Sequence, residues 1–515
     1  MIAMKTVNPP QSAVSKDLEE EKCECCTSRH TFALLCSIGL GIAYFLRFNL
    51  SVAMVAMVTG SSIPVGSANM SSHSKECPRP NVSSDNTTIP NTGEFEWNPK
   101  TQGLILSSFF YGYCVMQIPG GWVSTRYGAK LIVGLSILIQ SLLALLTPVA
   151  ARTHIGLMIA VRAVEGLAGG ALFPSVHTMV GRWAPVNERS KIIAYIGLGP
   201  YLGVVSAFFG AGWLCDQPFL GGWPSAFYIP GCVGCVWFLF WMFIVHSSPS
   251  KHPRISKREL HMITSSIGEN IYEKKPVPWV AMLTCAPFWA VCVAFTCSAW
   301  GSYTLMTELP SFMKAVIGVN VSQSGLLSAL PYAVSIVFTL MWANLADFLR
   351  KKEYLSVTKI RKLMNTIAAL CPAAFLVLSS FVGCNQYVVA GMITGATCFQ
   401  VADAAGSNAV MIDMAPHLAG LIKSVCNTFA TLTGIVSPYL AGVLVNDGET
   451  KEEWSKVFYI AAGVLVFDAV FFLIFASGDV QPWSAPVTEI EVTTDEYSEA
   501  SSQKQLWSGS TTIQG

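Results

Sequence analysis

Arg47 is the one charged residue in the apolar run 31–59. It lies about 12 residues from the nearer end of that run, which is roughly 18 Å along a helix. That is too far for the side chain to reach an interface. A charge at membrane depth costs ~2.5–3.5 kcal/mol on insertion scales, so it marks a path, a site or a buried pair. A guanidinium stays charged and grips carboxylate or phosphate oxygens at two points. Arg47 is therefore a candidate anion contact. The run 155–181 carries Arg162 and Glu165, three apart and so on one helix face. Two readings stay open for them. They neutralise each other, or Glu165 takes up a proton under the influence of burial and Arg162. Asp403 and Asp468 are further acids in apolar runs. Asp403 is a candidate cation or proton site, or a partner for a polar neighbour, and Asp468 carries no assigned role.

These charges need elements that cross a bilayer. Of the 515 residues 52% are hydrophobic and 12% charged, against about 25% charged in soluble proteins. Twelve apolar runs approach the roughly 20 residues a spanning helix needs: 31–59, 101–123, 129–150, 155–181, 191–215, 223–246, 283–308, 322–346, 363–383, 386–411, 419–444 and 455–476. Helices are expected, because each satisfies its own backbone in lipid. With both termini on one side, the short loops of that side hold most of the Lys and Arg, including Arg126, Arg182, Lys257, Lys351 and Lys423. The positive-inside bias then puts both termini in the cytosol. The acidic, polar start is not a cleavable signal, so the first span is expected to act as the targeting signal.

The expected organisation is a tail 1–30, a six-helix bundle 31–246, a basic solvated linker 247–280, a second bundle 281–476 and a disordered tail 477–515. The loop 60–100 falls outside the cytosol and carries three glycosylation patterns, at Asn69, Asn81 and Asn86. Most of the 16 cysteines lie in spans, where Cys acts as a small apolar residue. Cys77 and Cys384 can in principle pair. Cys23, Cys25 and Cys26 precede the first span as unmodified thiols or acylation sites. No GxSxG, P-loop or HExxH pattern occurs, so neither an enzyme nor a metal or cofactor site is expected. The composition excludes nucleic-acid binding.

An internal repeat supports six plus six. "GGWVSTRYGAK" follows the second run and "ANLADFLRKK" the eighth. Both resemble the loop pattern of the major facilitator superfamily, through Gly121 and Lys130, and through Asp347 and Lys352. "WAPVNERSK", "FNLSVAMVAMV", "SFFYGYCVMQIPGG", "LLSALPY", "VFYIAA" and "FASGDVQPW" resemble the anion:cation symporters of that superfamily. That group comprises sialin, the vesicular glutamate transporters and the sodium–phosphate cotransporters. The resemblance covers about residues 30–483 and is greatest to sialin-like members.

The resemblance implies an all-α membrane protein of twelve transmembrane helices in two six-helix bundles, working by alternating access. It implies that Arg47 contacts the substrate anion and that Tyr113 and Tyr303 line the cavity. Core packing is the other reading of the two tyrosines. His177 resembles a family histidine with a structural hydrogen bond. Sialin-like members carry R-x-x-E-x-x-x-E in the fourth span, and here Gly169 stands at the second acid. Leu106 stands where vesicular glutamate transporters have a His, and Ser298 where they have a second Arg. Asp413 is retained in "VMIDMAP". The expectation is a proton-coupled carrier of small organic anions. A sodium-coupled phosphate or organic anion cotransporter is the alternative, and an anion sensor or scaffold without flux the reading from another class. The coupling ion is H+ or Na+. Lysosomal, vesicular and plasma membranes all remain open, and so does the oligomeric state.

Overall fold

The computed structural model describes residues 27–58, 93–185, 188–267, 277–382, 385–415, 418–446 and 450–484. Asn69, Asn81 and Asn86 lie outside the described residues, as do Cys23, Cys25, Cys26, Cys77 and Cys384.

The first half holds α1 (Ser28–Met57), α2 (Pro99–Tyr127), α3 (Ala129–Thr153), α4 (Ile155–Gly170), α5 (Leu172–Trp183), α6 (Arg189–Asp216) and α7 (Ser225–Ile244). A linker holds α8 (Lys257–Ile267) and α9 (Trp279–Leu283). The second half holds α10 (Ala286–Phe312), α11 (Val321–Lys351), α12 (Val357–Phe381), α13 (Gln386–Gln400), α14 (Ser407–Met414), α15 (Ala419–Leu444) and α16 (Lys451–Phe475). Counting α4–α5 and α13–α14 as one crossing each gives twelve. Among the described residues, eleven crossings are long and apolar enough to span a membrane by composition. The exception is α2, which buries Ser107, Ser108, Gln117 and Ser124. The molecule is an all-helical, twelve-helix membrane fold.

Several helices begin before their apolar runs because polar caps start them. Asn98 accepts from the Thr101 amide (2.8 Å), Asn320 from Gln323 (2.8 Å), and Thr450 forms a capping box with Glu453. Such caps satisfy amides that the first turn leaves free. A hydropathy run cannot see a polar first turn.

Two expected continuous crossings are broken. The fourth turns at Ala171, after the Gly169–Gly170 pair and ahead of Pro174, which has no amide to continue the ladder. The tenth breaks through a 3-10 turn, Val401–Ala404, to Gly406 (φ −95°, ψ −112°). The two breaks sit at matching places in the halves. Each precedes a related tripeptide, Trp-Ala-Pro at 183–185 and Met-Ala-Pro at 414–416.

Glycines let the helices approach closely. A Cβ on Gly166 would lie 1.8 Å from the Phe109 carbonyl oxygen, and one on Gly112 would lie 1.8 Å from that of Ala163. So α2 and α4 pack backbone to backbone, the small-residue mode of membrane interfaces. Gly128 has φ +97° between α2 and α3, a conformation glycine adopts without strain.

We call the side where α1 begins the near face and the other the far face. At the far face the halves meet through backbone. A Cβ on Gly103 would lie 2.4 Å from the Pro438 carbonyl oxygen, and one on Gly442 2.4 Å from that of Pro99. Lys314 donates across the halves to the carbonyls of Val55 and Val58.

The linker differs from the solvated segment expected. Glu259 is 5% exposed and Ile263 1%. The Glu259 carboxylate accepts from the amides of Ser28 (3.1 Å) and Arg29 (3.0 Å), so it caps α1 from a distant part of the chain. Arg29 also pairs with Glu188 at 2.9 Å. Charge patterning shows that a segment is polar; it does not show that an acid in it has a helix end to satisfy.

Candidate functional site

The site centres on Arg47, past the middle of α1, 5% exposed. Aromatic rings surround its guanidinium. The ring centroids of Phe110 and Tyr113 lie 4.6 Å from its central carbon, and those of Phe109 and Tyr303 5.1 Å. Phe48 and Tyr44 follow at 5.3 and 5.7 Å. The π faces attract the cation, by about 0.5–2 kcal/mol each depending on desolvation. The ring faces offer no hydrogen-bond acceptor, while the Tyr303 hydroxyl lies within hydrogen-bonding reach of the guanidinium. Arg47 Nε and Nη2 have no partner among the described residues. These two donors point along one edge of the guanidinium, the edge that takes both oxygens of a carboxylate.

The aromatics come from both halves: Tyr44 and Phe48 from α1, Phe109, Phe110 and Tyr113 from α2, and Tyr303 from α10. Phe110 meets Tyr303 edge to face at 4.8 Å. So the structure brings Arg47, Tyr113 and Tyr303 together. It adds Phe109 and Phe110, whose "SFFYGY" context marked a resemblance but not a cage. Their spacing of one, three and four residues is the available signal, since it puts three rings on one side of α2.

Arg162 and Glu165 sit directly behind. They form an ion pair at 2.5 Å with side chains 2% and 1% exposed. Arg162 also donates to the carbonyls of Leu46 (3.1 Å) and Arg47 (2.9 Å). It therefore holds the turn of α1 that presents Arg47. Glu165 Oε1 has no partner among the described residues. The space beside Gly169, the second acid's position in sialin-like members, is taken. A Cβ there would meet Phe109 at 3.2 Å, Gln140 at 3.4 Å and Tyr113 at 3.5 Å.

The second half holds a different group. Ser298 Oγ donates to Asp403 Oδ2 at 3.0 Å. Thus the serine at the relatives' arginine position holds an acid. Lys423, counted above with the loop residues, instead lies inside α15. Its ammonium donates to Asn408 Oδ1 and sits 3.7 Å over the Phe295 ring. A lysine in the first turns of a helix can turn its head inward, which a count of charges per loop does not register. Asp468 accepts from Asn365 Nδ2 at 3.2 Å, and Asp413 pairs with Arg361 at 2.8 Å. Both read as structural. His177 is exposed on α5, and Leu106 is in the apolar core. Among the described residues no group of three or more His, Cys, Asp or Glu is placed to hold a metal.

The chain matches the Major Facilitator Superfamily over residues 36–436 and again over 291–514. It is 39% identical to human sialin over 460 residues, covering 89% of this chain and 91% of that protein. It is 35% identical to human vesicular glutamate transporter 2 over 463 residues, covering 89% and 75%. Among solved structures it resembles a bacterial homologue of the human lysosomal transporter Spinster in an inward-facing, occupied conformation. That match has TM-score 0.65 and 15% identity, covers 88% of this chain and 97% of that one, and bears on the fold alone. With the twelve crossings and the charged centre between two halves, the chain belongs to the Major Facilitator Superfamily, in the group of sialin and the vesicular glutamate transporters, and is a multi-pass membrane transporter, not an enzyme.

Proposed function

We propose that this protein carries a small organic anion by alternating access, with the substrate carboxylate on the Nε–Nη2 edge of Arg47. One observation carries this reading: a buried guanidinium keeps two parallel donors unpaired inside an aromatic cage. An unmatched buried donor costs ~1–3 kcal/mol, which a bound carboxylate would recover. Tyr113 and Tyr303 contribute the cage walls. Because Tyr303 belongs to the other half, rocking would open the cage and release the anion. Ser298 in place of a second arginine favours a ligand with less negative charge than glutamate.

Proton coupling is part of the proposal, with Glu165 as the acceptor and Arg162 as the group that orients it. Sodium coupling is the alternative, favoured by Gly169 at the second acid. The membrane is lysosomal, vesicular or plasma, with both termini cytosolic and the 60–100 loop glycosylated at Asn69, Asn81 and Asn86.

The test is uptake into proteoliposomes of sialate, glutamate, phosphate and urate, each under separate pH, sodium and voltage gradients. Arg47→Ala should abolish uptake of whichever anion the wild type moves. Unchanged uptake in that variant would overturn the anion site. Binding without uptake would replace the carrier by a sensor. Uptake indifferent to a pH gradient would remove Glu165 from the coupling role.

A further inference from the structure

Asp403 and Lys423 are opposite charges on neighbouring elements of the second half, yet neither is the other's hydrogen-bond partner in the structure. Ser298, a neutral hydroxyl, donates to the Asp403 carboxylate at 3.0 Å. The Lys423 ammonium is drawn off to the Asn408 amide oxygen and the Phe295 face. Asn408 acts as the spacer, since its amide nitrogen donates to the Asp403 backbone carbonyl at 3.5 Å. Both residues are partly exposed, unlike the closed Arg162–Glu165 pair, while their charged heads are enclosed. Asp403 sits in the break of the tenth crossing, where a 3-10 turn replaces helix. Broken crossings near the middle of a transporter are where coupling ions bind.

We propose that Asp403 and Ser298 form a monovalent-cation site in the second half, taking Na+ or a proton, with Lys423 as the internal charge that competes with it. Asp403 supplies a carboxylate and Ser298 a hydroxyl oxygen, both suited to a hard cation. Gln400 Nε2 donates to the Ser298 carbonyl at 2.9 Å and fixes that turn of α10 against the break. The positive charge of Lys423 lies close to the acid and repels an entering cation. Further charged or titratable groups surround the site, and Cys426 lies near Lys423 on α15 itself. Tyr201 faces Asp403 from α6, and Asp468 lies beyond it on α16, held by Asn365. Arg361 is occupied by Asp413 and the Ala405 carbonyl. His177 faces Lys423 from α5. In this position a cation would alter the charge at the junction of the two halves, which is what coupling an ion to rocking requires.

The test uses purified full-length protein and no organic substrate. Its thermal unfolding midpoint is followed while NaCl replaces choline chloride at constant ionic strength, and separately while pH falls from 8 to 6. The wild type should be stabilised by about 2 °C by one of the two cations. A sodium response identifies the occupant as Na+, and a pH response identifies it as a proton. Asp403→Asn should lose the response. Lys423→Gln should move it the other way, lowering the half-effective cation concentration about tenfold through loss of the competing charge. A wild type indifferent to both cations overturns the proposal, as does an Asp403→Asn protein that responds like wild type. If Asp403→Asn does not fold, Lys423→Gln decides, and an unmoved midpoint concentration overturns the site. The inference rests on the carrier reading only for its meaning in transport. Failed anion uptake by the wild type would sink the carrier and leave this binding result standing.

Discussion

The two halves handle opposite charges in different ways. In the first, Arg162 and Glu165 are in contact at 2.5 Å, sealed from solvent, and Arg162 is tied to two carbonyls of α1. In the second, Asp403 and Lys423 each take a neutral partner, Ser298 and Asn408. A closed pair holds its two charges against each other and braces the Arg47 turn, leaving Glu165 Oε1 as the pair's one carboxylate oxygen without a partner among the described residues. A divided pair keeps charge available for a third ion. The breaks at Ala171 and at Val401–Ala404 occupy matching places, so a common architecture has been filled with a brace on one side and an open station on the other.

The largest expected effect breaks the first half. Arg162→Met leaves Glu165 buried without its counter-ion and should destabilise the protein by about 3–5 kcal/mol. Thermal denaturation in detergent measures this, and a midpoint within 1 °C of wild type would show that the pair is no brace. The double change Arg162→Met with Glu165→Leu should recover much of the loss, because apolar packing replaces buried pairs well.

Arg47→Lys asks whether geometry or charge matters at the cage. A lysine keeps the charge and loses the two-point edge. Anion uptake should fall about 10–100-fold, equivalent to ~1.4–2.8 kcal/mol, while the unfolding midpoint stays close to wild type. Full activity would mean that charge alone suffices.

In the second half, Ser298→Ala removes one hydrogen bond to Asp403 and should cost about 1 kcal/mol. The half-effective cation concentration should rise severalfold. A change of folding stability with no change in the cation response would mark Ser298 as structural only.

The smallest effect comes from an exposed pair that calibrates the buried ones. At the far face Glu94 accepts from Arg152 at 2.7 and 3.1 Å and from the Trp223 indole at 3.0 Å. The hydrogen bond from Arg152, above all, lowers the Glu94 carboxyl below its ordinary value. The stability it adds is therefore present above the unfolded carboxyl range near 4.5 and is lost as pH falls through the folded value. Because both partners are well exposed, Glu94→Gln should cost no more than ~0.2–1 kcal/mol at pH 7. The difference from wild type should vanish in acid. A difference that grows as pH falls contradicts this sign.

Much of this was legible in the sequence for physical reasons. Lipid forces each crossing to be a long apolar helix, so the twelve runs could be read directly. Burying a charge is so unfavourable that Arg47, Arg162, Glu165 and Asp403 stood out against their neighbours. What stayed hidden depends on a third dimension. Nothing in "CSAW" shows that Ser298 faces Asp403 across 105 residues. Nothing in a basic count shows that Lys423 turns inward. The aromatic cage is hidden in the sequence because Phe and Tyr are ordinary in apolar runs, and only their convergence on one guanidinium sets them apart. The Ala171 break was foreshadowed by two glycines and a proline, whereas the Val401–Ala404 break has no proline to announce it.

The Glu259 carboxylate that completes the start of α1 has a consequence in time. It lies 231 residues downstream of Ser28. At about 5–20 residues per second, roughly 10–45 s of synthesis separate the two. Until then the first helix to enter the membrane keeps two open amides at its start, and the first bundle is unfinished even after its sixth crossing has been made. A nascent chain halted at residue 246 should thus hold six helices with a frayed, protease-sensitive beginning. The linker between the halves is also the last piece of the first.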